Sequence, residues 1–402
     1  MTNKPLLGET ALVLRTLCLS CGLPKTGPKR VLVQRLRRAA RQFQPIPPEA
    51  RILSIDLGLK NFAYALLSPA APSKRKQAAG GSSIDTPLNS PVHLHAWNRL
   101  DLTLRSHTRS TPTTRRQTIA RGEGKEVGAT TTAAAAEEEE EGYDDVGEEE
   151  EEEEAYSPAA LSALAAHLVR TRLLPLRPTH VLIERQRFRT GGAAAIFEWT
   201  LRVNSLEAML HAAFAALRGV RVPAQPGEDD DGSGGGGGGG VVVWNGVVCS
   251  VLPRAVAGFL FPAGSDALLS VEDGGTVGGE EKKKTVGAGA AYQMLKREKV
   301  DMLARHLNDR RLIIPVEGQA EEMVRLFMAG AEKRRKGKRR GGRRRRQEGV
   351  EETERKDAEE EEVVVVAKLD DLSDAVLQGM VWLQWQSNLE ALTRERPALF
   401  DN

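Results

Sequence analysis

Asp56 closes the apolar run Arg51-Ile-Leu-Ser-Ile-Asp56 and is followed by Gly58 and a second apolar run at 62–67. The two runs read as paired buried strands, and Gly58 allows the chain to turn tightly beside whatever Asp56 holds. A carboxylate held at a strand end can serve as the first ligand of a metal-dependent phosphoryl-transfer site, or simply as a turn residue. A second short apolar run, Val181-Leu-Ile-Glu184, also ends in a carboxylate and leads into the cationic stretch Arg185-Gln-Arg-Phe-Arg189. Glu184 is therefore a candidate second ligand. A third acidic group lies in Lys368-Leu-Asp-Asp-Leu-Ser-Asp374, where Leu369, Leu372, Val376 and Met380 recur at helical spacing. Asp371 and Asp374 are three apart and Asp370 and Asp374 four apart, so either pair shares a helix face. Their metal-free alternative is an acidic first turn that complements the helix macrodipole.

Carboxylates on two strands and a helix suit the oxygen-preferring ions Mg²⁺ and Mn²⁺. Two such ions about 4 Å apart can activate a water and stabilise the leaving oxygen of a phosphodiester, which is nuclease chemistry. Gln186, Arg187 and Arg189 follow Glu184 directly, so they are candidates for contacts to a nucleic-acid strand, or ordinary loop charges. Lys60, four residues beyond Asp56, is a further candidate DNA contact. Lys368 can neutralise charge near a scissile phosphate, or pair with Asp371 or Glu362.

The elements that must position these groups read coarsely as helices at 159–170, 193–217, 256–261 and 292–307, and strands at 180–184 and 241–251. Interleaved strands and helices give an α/β class with a mixed central sheet in three layers. The 193–217 helix carries Ile196, Trp199, Leu201, Val203, Leu206, Met209, Leu210, Phe214 and Leu217, more apolar surface than one sheet needs. It is either central or meets a second subunit.

Residues 1–44 form a separate module, two short helices around the loop Gly22–Lys29. Lys25, Lys29, Arg30, Arg35, Arg37 and Arg38 suit phosphate contacts that position without reading bases; a solvated basic helix is the alternative. Cys18 and Cys21 form a CxxC with no second Cys or His pair nearby, so core packing is expected rather than zinc.

The 402 residues carry 57 Lys and Arg against 55 Asp and Glu, and the net charge of +2 hides segregated blocks. An acidic tract spans 137–154, a glycine tract 234–240, and a basic tract 333–346 precedes an acidic 351–362. Composition reads these as solvated insertions at about 70–92, 105–157, 225–240, 263–288 and 330–362 within a domain spanning 50–392. Loop-closure entropy grows only logarithmically, so such inserts need not separate the acids in space. The basic tract reads as a solvated charge run, a nuclear signal or a nucleic-acid patch. No apolar stretch reaches the roughly eighteen residues a membrane span needs. Three cysteines argue against a disulfide framework and a secretory route.

Four blocks, Ser54–Ala63, Ile183–Arg189, Val248–Arg254 and Lys368–Ala375, resemble the RNase H-like superfamily, and within it the fungal mitochondrial Holliday-junction resolvases related to bacterial RuvC. The N-terminal module resembles a SAP motif. The resemblance implies a Mg²⁺-dependent, structure-selective endonuclease that resolves four-way DNA junctions by paired symmetrical nicks, acting as a homodimer. It implies catalytic acids at Asp56, Glu184 and Asp374, with a fourth at Asp370 or Asp371. It also implies a mitochondrial address, although no transit peptide is visible. The alternatives are another RNase H-like nuclease, or a SAP-type DNA-binding protein without catalysis.

Overall fold

The computed structural model describes residues 8–71, 87–103, 156–186, 198–223, 241–262, 288–344 and 368–395. The acidic tract 137–154, the glycine tract, the acidic tract 351–362, Arg187, Arg189 and Ile196 lie outside them.

Strands β1 (Ile52–Asp56), β2 (Phe62–Pro69), β3 (Val92–Leu100), β4 (His180–Glu184), β7 (Val247–Val251) and β8 (Ile313–Pro315) form one sheet. Its order is β7-β4-β1-β2-β3-β8. β1 is buried at every position because it lies in the middle, antiparallel to β2 and parallel to β4. The outer pairs β4–β7 and β3–β8 are parallel and β2–β3 antiparallel, so the sheet is mixed as expected. Strands β5 (Arg221–Pro223) and β6 (Val241–Val243) form a separate ribbon.

Helices cover both faces, giving the RNase H-like three-layer α/β/α arrangement. One face buries α3 (Pro158–Leu168), its π-helical extension Val169–Leu173, and α4 (Glu198–Leu217) against Leu53, Ile55, Val181 and Ile183. The other face buries α5 (Pro253–Leu260), α6 (Ala288–Asp309), α7 (Gln319–Arg344) and α8 (Leu369–Glu395) against Ile52, Ala65, Leu67 and Leu182. The helix buried nearly all round is α8, every residue from Ala375 to Trp385 being buried. By contrast α4 buries one stripe, Val203, Leu206, Leu210 and Phe214, and leaves Trp199 42% and Leu201 45% exposed.

Contact between α8 and the sheet is set by Gly379. A Cβ there would meet Leu67 Cδ1 at 2.5 Å and Ser54 Cβ at 3.1 Å. The N-terminal helices α1 (Ala11–Ser20) and α2 (Lys29–Gln42) pack on the other end of α8, with Leu14, Cys18, Leu32 and Leu36 joined to Leu389 and Leu392 in one apolar cluster. Asn388 Nδ2 donates to the Ser20 carbonyl at 2.7 Å. Gly22 has φ +70°, and a Cβ there would lie 2.4 Å from the Trp385 ring. Both module cysteines are buried free thiols, pushed up to about 11 by burial, so they pack as the sequence led us to expect.

Three expectations need correction. The run 241–251 is two strands, because Trp244 turns inward between them. Its Nε1 donates to the Pro178 carbonyl at 2.7 Å, and Gly246 leaves room for the ring, which a Cβ would approach to 2.6 Å. The expected insertion at 70–92 gives way to ordered chain by residue 87, and its last residue, Val92, begins β3, whose register with β2 buries Leu94 and Trp97. The expected insertion at 330–362 is helical through Arg344, because α7 continues past the buried Ala331 into the basic tract.

Filling the glycine contact tests the packing of α8. Gly379→Ala should cost about 1–3 kcal/mol by overpacking, although Ala is the better helix former. Denaturant unfolding showing equal or higher stability would mean that α8 does not sit this close to β1 and β2.

Candidate active site

Parallel pairing of β1 with β4, Ile55 opposite Ile183, ends both strands at the same sheet edge, with Asp56 and Glu184 as their last residues. Alternation puts Ser54, Asp56, Leu182 and Glu184 on the α8 side. Gln378 Nε2 donates to Ser54 Oγ and to the Ile55 carbonyl, both at 3.1 Å, and Trp97 Nε1 donates to the Leu372 carbonyl at 3.1 Å. These bonds fix the rotation of α8. Asp374 lies one turn before Gln378, and Asp371 one turn before Asp374, so all three share the face toward the strand ends.

Asp56 is 9% exposed and its carboxyl is held well above the usual range, first by burial and then by Glu184, Asp374 and Asp371. Glu184 is also raised, chiefly by burial and by Asp374, despite a hydrogen bond with Asp56 and the nearby charge of Lys299. The hydrogen bond between the two strand-end carboxyls raises Asp56 and lowers Glu184, so Asp56 is the one whose charged form its neighbours oppose more strongly. Asp371 is pushed up to about 6 by burial and by Asp370, and its Oδ2 is buried without a hydrogen-bond partner among the described residues.

Two lysines on α6, three residues apart on one face, meet the acids of α8. Lys296 Nζ lies 2.6 Å from Asp370 Oδ2, and Lys299 Nζ lies 2.6 Å from Asp374 Oδ1. Burial alone would lower Lys299, but Asp374, Glu184 and Asp56 together raise it, so it stays charged. Asp370 goes the other way: its bond to Lys296 outweighs burial and holds it below the usual range. Asp370 is therefore neutralised on the α6 side, while Asp371 keeps a free oxygen and adds to the field at Asp56.

Sequence reasoning missed Lys296, Lys299 and Gln378. The available signal was the three-residue lysine spacing on a helical run, matched to acids four apart on another.

The other candidate residues are spread between this edge and the N-terminal module. Lys60 is exposed in the loop after β1, its ammonium 5.9 Å from the centre of the Trp199 ring. The Gln186 amide donates to Glu207 Oε2 at 2.8 Å. Lys368 has φ 59°, immediately before α8, and its charge acts on Asp371. In the module Arg35 donates to the carbonyls of Pro24 (2.8 Å) and Thr26, clamping the loop, while Lys25, Lys29 and Arg30 border the same loop and the start of α2.

Among the described residues, no three His, Cys, Asp or Glu side chains are grouped closely enough to hold a metal ion as they stand. The donor chemistry nevertheless fits a hard divalent cation: the candidate groups are all carboxyls, Asp56 and Glu184 are both raised by burial and by nearby acids, and Asp371 Oδ2 has no hydrogen-bond partner among the described residues. No described helix is long and apolar enough to cross a membrane.

The raised carboxyls set the pH dependence of stability. A carboxyl lifted above its ordinary 3.8 stabilises the fold at low pH, and that contribution is lost as pH rises through the folded value. Without divalent ions, Asp56→Asn should therefore raise the melting temperature at pH 8 relative to wild type and narrow the gap at pH 5. Calorimetry showing the mutant less stable at pH 8 would mean that Asp56 is not opposed by its neighbours.

The model of the mitochondrial resolvase Ydc2 / RNA splicing MRS1 family matches residues 52–392. The mitochondrial cruciform cutting endonuclease 1 of Schizosaccharomyces pombe is 30% identical over 199 residues, 50% of this chain and 53% of that protein. The chain thus spans about half the length of the curated relative it matches. The crystal structure of the yeast mitochondrial Holliday junction resolvase Ydc2 aligns over 97% of this chain and 98% of that one, at 20% identity and a TM-score of 0.47. Family and relative are both described as mitochondrial, the address that the resemblance implied. With its catalytic-domain match running from β1 through the acid-bearing α8, the chain belongs to the mitochondrial resolvase Ydc2 / RNA splicing MRS1 family.

Proposed function

We propose that this chain is a Mg²⁺-dependent endonuclease that resolves four-way DNA junctions by paired nicks, with Mn²⁺ an alternative ion. The observation that carries the reading is the meeting of Asp56, Glu184, Asp371 and Asp374 in one electrostatic field at the sheet edge. Asp56, Glu184, Asp371 and Asp374 would hold the ions. Two ions, when bound, would supply an acidified water and stabilise the departing 3′ oxygen.

The protein's own groups account for the rest. Asp56 gives up its proton when the site loads, so loading is favoured as pH rises. Lys299, released from Asp374 or shared with it, holds positive charge beside the scissile phosphate. Asp370 stays with Lys296 and acts by positioning α8, outside the ligand set. Lys60, Gln186 and Lys368 would contact junction strands, and Arg187 and Arg189, which lie outside the described residues, are candidates for the same role from their place in the sequence. The SAP-like module, through Lys25, Lys29 and Arg30, would hold duplex, with Arg35 shaping its loop.

The family description also names RNA splicing, so a nucleic-acid-binding protein without cleavage is the competing reading. A purely binding surface has no need of mutually repelling carboxyls, one with an unpartnered buried oxygen, and this favours catalysis. Another RNase H-like nuclease would use the same acids and differ in substrate.

Cleavage of a synthetic four-way junction in Mg²⁺ separates these readings and the two adjacent aspartates. Asp371→Asn should lose two or more orders of magnitude in rate, with junction binding in Ca²⁺ kept. Asp370→Asn should retain cleavage within about tenfold and lose stability instead. Equal losses, or cleavage of flaps or hybrids in preference to junctions, would refute the assignment or the substrate.

Paired nicking of a two-fold junction calls for a two-fold enzyme, and the exposed Trp199 and Leu201 on α4 support a homodimer through that helix. Leu201→Asp should shift the sedimentation of the chain to monomer. An unchanged dimer would move the interface elsewhere.

A further inference from the structure

Helix α4 carries an aromatic ring that the core does not use. Of the five tryptophans, Trp97, Trp244, Trp382 and Trp385 are buried, and Trp199 is 42% exposed. Its place follows from the run of the helix. Val203, Leu206, Leu210 and Phe214 form the stripe buried against the sheet, and Trp199 continues that stripe one turn before Val203. At the far end Phe214 packs 5.4 Å from Trp244, which bonds the Pro178 carbonyl just before β4. His211 lies 3.2 Å from Ser250, opposite Ile183, and Glu207 accepts from the Gln186 amide just past the end of β4. Helix α4 is therefore laid along β4, its first turn toward the carboxylate edge. Trp199, eight residues before Glu207 and about 12 Å further on, stands beyond the strand ends that carry Asp56 and Glu184.

The neighbours of the ring are a cation and a second aromatic. Lys60, four residues beyond Asp56, brings its ammonium to 5.9 Å from the ring centre, the outer limit of a cation–π contact. Tyr156 meets Trp199 edge-on at 6.3 Å, and the Arg202 guanidinium covers Tyr156 at 4.2 Å while pairing with Glu198. These contacts fix the indole and leave much of it open to solvent. On one face of the sheet α8 bears its acids, and on the other α4 bears this ring, so the strand ends lie between the two. Leu201 is two residues on, about 200° round the helix, so a partner packed on Leu201 leaves the ring at the strand ends.

We propose that Trp199 selects branched DNA at this site, a base at the branch point stacking on its indole. In a continuous duplex both faces of each base are covered by neighbours, so the ring could stack only by first opening a step. Where strands part, a terminal base offers a free face. Stacking on an aromatic ring is indifferent to which base that is, so the ring reads shape and not sequence. The inference rests on the nuclease reading for its substrate, and is separable from it by experiment.

The test compares wild type with Trp199→Ala and Trp199→Phe, each as the full chain in Ca²⁺, by anisotropy on a labelled four-way junction and on a continuous duplex of the same arm sequence. Trp199→Ala should bind the junction about tenfold more weakly, the scale of one lost aromatic–base stack, and the duplex within about twofold of wild type. Trp199→Phe, which keeps an aromatic face, should recover most of the loss. A 2-aminopurine at the branch point should be quenched more by wild type than by Trp199→Ala. Equal junction affinity in wild type and Trp199→Ala, with wild type still preferring junction to duplex, overturns the stacking role and leaves the nuclease reading standing. Parallel losses on junction and duplex, or a Trp199→Ala chain that sediments as monomer where wild type is dimer, assign the ring to packing or to the subunit contact and also overturn it. A wild type that binds junction no better than duplex overturns the junction reading itself, and the stacking role with it.

Discussion

The site is governed by mutual repulsion among carboxyls that the fold will not let apart. Burial and the charges of Glu184, Asp374 and Asp371 hold Asp56 well above its usual range, and burial and Asp374 raise Glu184, so ionising all of these acids together is opposed. The chain supplies the ammonium of Lys299 to Asp374, and a hydrogen bond between Asp56 and Glu184. Asp371 feels the charges of Lys296 and Lys368, but its Oδ2 is buried without a hydrogen-bond partner among the described residues. A divalent cation would relieve this charge and matches the oxygen donors.

The rest of the fold explains why the acids cannot relax. Asp56 and Glu184 end adjacent parallel strands whose backbones are locked by the sheet. The rotation of α8 is fixed by Gln378 and Trp97, and its depth by the absence of a side chain at Gly379. The far end of the same helix is gripped by the N-terminal module through Leu389, Leu392, Trp385 and Asn388. One helix therefore joins the module to the carboxylate site, and disturbing either end is felt along its length.

The sequence made the strand-end acids legible because a strand position is local: an apolar run that stops at a carboxylate fixes where that carboxylate stands. Helical periodicity likewise found α8 and the shared face of its acids. It could not choose between Asp370 and Asp371, since spacings of three and four both satisfy one face. What distinguishes them is Lys296, on a different helix 74 residues away in the chain, which pairs with Asp370. Lys299 was missed because its partner is likewise on another helix, and only its three-residue spacing from Lys296 signalled it. The Trp244 turn was missed because its cause is a long-range bond to Pro178, and the continuation of α7 because a charge run gives no apolar period to read.

The central claim is that a divalent cation replaces the proton held at Asp56. Titration calorimetry of Mg²⁺ or Mn²⁺ into the chain near pH 6.5, in two buffers of different ionisation heat, measures this directly. The account predicts net proton release on binding in wild type, and a smaller release with weaker binding in Asp56→Asn. Binding with no proton release, or with the same release and affinity in both proteins, would contradict it.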